Sequence, residues 1–233
     1  MDVNNEFTGE AFVPSKSGSR IEADHYARYE FAQRFVAGKD VLDIACGTGY
    51  AGPMMMSAGA RSFHGVDISE QSVEFARSKF GRDNITFATG DVTQFVQPKS
   101  YDVITSFETI EHVTGYNEAL RNFRATLRDG GTLLISSPNR PVTSPNTRSI
   151  SDKPYNKYHT QEFTPPELIK AVEANGFRVS EVLGQRLRRF HFQMSKTLMR
   201  AQAMFQGRPD SRGNPEVLPL GNQIARYFVL VAS

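Results

Sequence analysis

The chain has 233 residues, 22% of them charged, with a formal net charge of +2. That length suggests one domain able to bury a sizeable core, and so mild a charge does not call for nucleic acid as an obligatory partner. The single cysteine, Cys46, excludes an internal disulfide framework, and no apolar run approaches the roughly 18 residues of a membrane span.

The opening MDVNNEFTGE is acidic and polar. It lacks the basic start and apolar stretch of a signal peptide, so a cytoplasmic location is expected. Residues 1–21, with SKSGSR near their end, read as a flexible segment before a single domain over 22–233. From Glu22 to Val36, Tyr26, Tyr29, Phe31, Ala32 and Phe35 recur at helical spacing. After Gly38, apolar segments alternate with helical patterns. The predicted strands are Val41–Ala45, Ser62–Asp67, Ile85–Gly90, Tyr101–Ser106 and Thr132–Ser137. The predicted helices between them are Met54–Ala58, Glu70–Phe80 and Tyr116–Leu127. Such alternation implies an α/β fold, a parallel sheet doubly wound by helices through right-handed crossovers.

The second half is less regular. Residues 140–161 are rich in Pro, Ser, Asn and Thr and are too long for an ordinary connection, so a lid over a substrate is expected. FTPPELIKAVEANGF then carries helix signals: Thr164 as N-cap, Pro165 in the first turn, Glu167 three past the cap and Gly176 as the stop. RVSEVLG reads as a strand, residues 187–205 as a helix, and Ala225–Ala232 as a closing strand.

The stretch VLDIACGTGYAG contains a complete G-x-G-x-x-G. Its glycines allow a tight turn and close approach of a ligand. The neighbours argue against a dinucleotide. Asp43, in the strand leading to the loop, would face a pyrophosphate at short range, where like charges repel. No Lys or Arg occurs from Val41 through Ala60. Asp67, 20 residues after Gly47, stands where a carboxylate accepts from ribose hydroxyls. Asp91 follows the third strand and suits an exocyclic amine. A ribose, an adenine amine and a cationic amino-acid tail together describe S-adenosylmethionine (SAM).

Taken together, VLDIACGTGY, GVDIS, TGDV, YDVITSFETIEHV and LRDGGTLLISSPN resemble the ordered motifs of class I SAM-dependent methyltransferases. The likeness is close over residues 38–138 and looser beyond. It implies a Rossmann-like sheet of seven strands in the order 3-2-1-4-5-7-6, the last strand antiparallel, with a helix before it. It also implies SAM as cofactor and S-adenosylhomocysteine as product. By the same resemblance, Ala45, Gly47 and Gly49 line the methionine moiety, Asp43 orients its amino group and Phe107 borders that end. Asp67 takes the ribose hydroxyls, Ile68 packs on adenine, and Asp91 with Val92 reads the adenine amine. Tyr26 and Arg28 of the N-terminal helix are placed at the cofactor carboxylate. Bland readings stay open beside these: Asp67 as a helix cap, Asp91 as a turn residue, Asp43 as an internal acid and Phe107 as core.

Two histidines stand out for catalysis. His112 follows the fourth strand, and His159 ends the long loop. A hydroxyl acceptor benefits from a general base, and histidine suits that work near neutral pH. His112 is assigned as the base, and His159 as a second base or substrate clamp. Glu108 and Glu111 either orient His112 or are solvated. No metal is expected.

Within the resemblance, the pattern is nearest to the quinone-biosynthesis and sugar- or polysaccharide-pathway methyltransferases. A small-molecule acceptor follows, with O-methylation of a sugar-like or natural-product hydroxyl favoured over N-methylation of an amine or amino sugar. A third reading is RNA binding or modification through the basic stretch Gln185–Arg200. A homodimer is left open.

Overall fold

The computed structural model describes residues 19–187 and 214–233. The predicted helix over 187–205 therefore lies outside the described residues apart from Leu187, as do residues 1–18 of the expected tether.

The first helix, α1 (Ser19–Ala32), continues in a tighter turn through Phe35. Then come β1 (Asp40–Ile44), α2 (Ala51–Ser57), β2 (Ser62–Asp67), α3 (Glu70–Phe80), β3 (Ile85–Thr89), β4 (Tyr101–Ser106) and α4 (Tyr116–Thr126). The second half holds β5 (Leu127–Pro138), α5 (Arg140–Thr143), α6 (Pro165–Ala174), β6 (Val179–Gln185), β7 (Leu218–Pro219) and β8 (Tyr227–Ala232).

One sheet joins all strands in the order β3-β2-β1-β4-β5-β8-β6-β7. The β1 strand pairs in parallel with β2 and β4, while β8 runs antiparallel to β5 and β6. This is the expected order with one addition. The predicted seven strands become eight because Leu218–Pro219 pairs with Leu183 and Gly184 at the sheet edge. A two-residue strand containing proline has no sequence signature and belongs on an edge, where a missing N–H costs least.

Alternation within the strands sorts the core into two layers. Val41, Val103, Leu134 and Val229 pack on one face with Tyr29 and Ala32 of α1, Met55 of α2 and Val73 of α3. Their neighbours Leu42, Ile104, Leu133 and Phe228 pack on the other face with Leu120 and Phe123 of α4 and Leu168 of α6. Each fully buried leucine contributes on the order of 1.5–3 kcal/mol. Met55 is wholly buried while Met54 and Met56 pack at the rim, as expected of core filler.

Element boundaries differ from expectation at three places. The α2 helix begins at Ala51 rather than Met54, directly out of the glycine loop. The β5 strand begins at Leu127 rather than Thr132, because Leu127 pairs with Tyr101 across a register shift. The segment 140–161 opens with α5 and is held by its own hydrogen bonds: Ser144 Oγ accepts from the Tyr155 N–H (2.9 Å) and Asp152 accepts from Ser149 (3.0 Å). The predicted capping box of α6 is present, and the same Glu167 accepts from Arg140 at 2.7 Å, tying the segment's start to that cap. Among the described residues no helix is long and apolar enough to cross a membrane.

Candidate active site

The strands β1, β2, β3 and β4 all end on one side of the sheet, where open α/β sheets bind ligands. The chain leaves β1 through Ala45, Gly47 and Gly49, at φ of 60°, 54° and 75°. At Gly49 the need for glycine is twofold. Its φ is left-handed, and an added Cβ would lie 2.6 Å from both Ala76 and the Phe87 ring. Cys46 is buried between them as a packing residue, and burial pushes its thiol up, away from reactivity.

Asp67 ends β2 and holds this loop. Its Oδ2 accepts the Gly47 N–H at 2.8 Å and its Oδ1 the Ser69 N–H at 2.9 Å. The helix-cap role falls to Ser69, whose Oγ accepts from Ser72. Asp91 makes a turn: its Oδ1 accepts from the Thr93 N–H (2.8 Å) and hydroxyl (2.7 Å). Ala45, Ile68, Asp91 and Val92 together line a cleft of about 640 Å³. Ile68 is 74% exposed, which is unusual for isoleucine and suits a flat apolar ligand face. Glycines that turn the loop away, an apolar shelf and acids at strand ends fit the nucleoside of SAM.

Asp43 and Phe107 stand differently. Like Tyr26, Gly47, Gly49 and Asp67, neither lines a described cleft. Asp43 is wholly buried and accepts from Thr105 Oγ1 (2.6 Å) and the Tyr29 hydroxyl (3.0 Å). Burial pushes its carboxyl up to about 7, although those two donors pull it down. Phe107 packs edge-on against the Tyr29 ring, with centroids 5.2 Å apart. Both therefore meet α1 in the core beneath the loop. Tyr26 packs edge-on against Tyr50. Arg28 is 1% exposed and donates to Gln185 Oε1 at 2.6 Å. It lines a second cleft rather than the first.

That second cleft, of about 250 Å³, is bordered by α1, the turn after β4 and the segment 140–161. It brings together His112 and His159, distant in sequence, with ring centroids 4.8 Å apart. The cause is local. The turn Ile110–His112 and the next residue, Val113, present carbonyls to the end of that segment. Gln161 Nε2 donates to the Ile110 carbonyl (2.7 Å) and the Val113 carbonyl (3.0 Å), and the Thr160 N–H donates to Glu111 O (2.8 Å). His112 Nδ1 lies 3.2 Å from the Tyr158 carbonyl, which can only accept, so Nδ1 is the donor there. His159 Nδ1 sits 2.7 Å from Glu162 Oε1. Burial raises the Glu162 carboxyl, but bonds from His159, Thr143 and Ser144 outweigh it and hold it below the usual range.

Sequence reasoning left Glu111 undecided between orienting and solvated. It is 1% exposed, and burial followed by the nearby Glu108 pushes its carboxyl well up. Glu162 was missed; its signal was an acid three residues past His159. Also missed was the clamp that fixes α1 to the end of β6. Gln185 donates to the Asp24 carbonyl (2.8 Å), and Arg186 Nε to Asp24 Oδ1 (2.6 Å), with both charges nearly buried. Arg186 therefore serves the fold and not a basic face, which corrects its place in the RNA reading; Arg188 to Arg200 lie outside the described residues.

Comparison with known proteins agrees with this geometry. The methyltransferase-domain family matches residues 23–182. A probable S-adenosylmethionine-dependent methyltransferase of Mycolicibacterium smegmatis is 34% identical over 76% of this chain. The chain spans 60% to 67% of the length of the mycobacterial relatives it matches. A ubiquinone biosynthesis O-methyltransferase of Coxiella burnetii is 28% identical over 67% of this chain and 71% of its own. An S-adenosylmethionine-dependent methyltransferase from Mesorhizobium loti superposes with a TM-score of 0.62 at 18% identity, over 90% of this chain and 99% of that one.

Proposed function

The chain belongs to the SAM-dependent methyltransferases, and from that premise we propose that it methylates a hydroxyl of a small sugar-like or natural-product acceptor bound in the second cleft. One observation carries this reading: Glu108 and His112 line both clefts, so they mark the junction between cofactor and acceptor. Asp67, Ile68, Asp91 and Val92 hold the nucleoside in this reading, and Ala45, Gly47 and Gly49 approach the methionine end. Asp43 and Phe107 act from beneath, by fixing the loop and α1. Tyr26 and Arg28 belong to the α1 wall, with Arg28 on the acceptor side.

SAM supplies an activated methyl group on a sulfonium whose sulfur leaves readily. The protein's remaining work is alignment and proton transfer. With SAM bound, its methyl group would pass to the acceptor oxygen as the sulfonium leaves as a neutral thioether, and the hydroxyl proton would pass to His112 Nε2. The Tyr158 carbonyl keeps that nitrogen basic. His159, oriented by Glu162, grips or deprotonates a neighbouring hydroxyl. General base assistance contributes about 10²–10⁴ in rate. Segment 140–161 forms the cleft's outer wall and excludes water there, within one domain over 22–233. A cytoplasmic place of action suits the lone buried cysteine.

The carboxyl groups in the second cleft favour one alternative, N-methylation of a cationic amine or amino sugar. A radiolabelled-methyl screen over sugar nucleotides, phenols and amines separates the two, with the labelled atom located by mass spectrometry. Label on oxygen supports the reading. Label on nitrogen, or no small-molecule product, overturns it.

A further inference from the structure

We propose that Glu111, His112 and His159 form a binding site for a divalent transition-metal ion of the zinc type. Each offers a donor atom, and the three donors lie within 4.8 Å of one another. An ion at about 2.0–2.1 Å from each would hold them roughly 3.3 Å apart, so binding must draw the three donors closer together.

A second observation points to a cation independently. Glu111 is 1% exposed, it lines the second cleft, and its Oε2 has no hydrogen-bond partner among the described residues. A buried carboxyl oxygen without a hydrogen-bond partner is costly, and a cation that replaces the carboxyl proton would satisfy it. The cleft's charges point the same way: Asp24, Glu108, Glu111 and Glu162 stand against Arg28 and Arg226, and Asp24 already pairs with Arg186.

The supporting contacts have the form that metal-bound histidines require. A ligating imidazole usually gives its other N–H to a carboxylate or a backbone carbonyl. His159 Nδ1 faces Glu162 Oε1 at 2.7 Å, and His112 Nδ1 faces the Tyr158 carbonyl at 3.2 Å. Both Nε2 atoms are thereby the metal-facing ones. His159 Nε2 meets the Asn156 amide at 2.8 Å, and an incoming ion displaces that exposed side chain. Two imidazoles with one carboxylate select zinc-like ions over magnesium, which prefers oxygen donors. Three protein ligands leave a position for water or an acceptor hydroxyl, whose pKa the ion would lower. The ion and the proton compete for His112 Nε2, so with the ion bound an acceptor hydroxyl would be activated by the ion and not by His112; binding of the ion does not depend on the acceptor proposed above.

The test uses the full chain, purified and stripped with a chelator. ZnCl₂ is titrated in competition with a chromophoric chelator, with MgCl₂ as a parallel arm and CoCl₂ as a spectroscopic probe. The expected result is about one zinc per chain, no competition from magnesium, and a cobalt d–d band typical of low coordination number. His112→Ala, His159→Ala and Glu111→Gln should each weaken zinc at least about tenfold, and Glu162→Gln about 10–100-fold. Thermal melts identify any variant that fails to fold, and the wild-type cobalt spectrum stands without variants. Lack of stoichiometric zinc, equal competition by magnesium, or unchanged affinity in folded histidine variants overturns the proposal. Methyl transfer by the chelated enzyme with no zinc binding would remove the metal while leaving the acceptor reading intact. Zinc binding without any accepted hydroxyl would do the reverse.

Discussion

Asp67 and Gly47 are joined directly: a carboxylate oxygen at the end of β2 accepts the backbone N–H of the loop that follows β1, at 2.8 Å. The acid assigned to the ribose thus also holds the glycine turn in place. Asp67→Ala removes both contributions. With a hydrogen bond to a charged group contributing about 1.5–3 kcal/mol, affinity for S-adenosylhomocysteine should fall at least about tenfold by calorimetry. Unchanged affinity would remove the ribose assignment.

His112→Ala should lower turnover about 10²–10⁴-fold while cofactor affinity stays near wild type. The comparison is kcat under saturating SAM against the calorimetric dissociation constant. Loss of both together would mean that His112 acts only through the cofactor cleft it borders and not as a base.

Asp43 gives a pH dependence with a definite sign. Its carboxyl is raised to about 7 when folded, against 3.8 as its ordinary value. The native state therefore holds the proton more tightly than the unfolded chain, and stability falls as pH rises from about 4 to about 7. Asp43→Asn lacks that proton. Its melting temperature should change less than that of wild type between pH 5 and pH 8. Parallel curves for the two proteins would contradict the assignment.

The buried pair Asp24–Arg186 pins α1 to the end of β6. Arg186→Met leaves Asp24 buried without a counter-charge, which costs about 3–5 kcal/mol. Adding Asp24→Asn should restore part of that loss. Urea unfolding of both single variants and the double variant measures the coupling, and strict additivity would mean the pair is not coupled.

Much of this molecule was legible in the sequence because the signals are local. The near-continuous burial of Tyr101–Ser106, the Thr164–Glu167 capping box and the left-handed glycines each depend on a few adjacent residues. The same holds for Ile68, Asp91 and Val92, which sit just past strands and line the first cleft by virtue of that position.

The second cleft was not legible in this way. His112 stood on its own in the sequence, and so did His159. Only the docking of Thr160 and Gln161 onto the Ile110–Val113 carbonyls brings their rings together. Gln185 and Arg186 likewise gained meaning only when β6 reached α1. By itself the sequence determined the class of fold through strand periodicity, while the order of its main strands and the cofactor came from the family resemblance that its short strand-end motifs carry. Only the tertiary structure decided which charges are buried, which carboxyl is left without a donor and which histidines meet. Burial and pairing arise between segments far apart in the chain, and no local pattern records them.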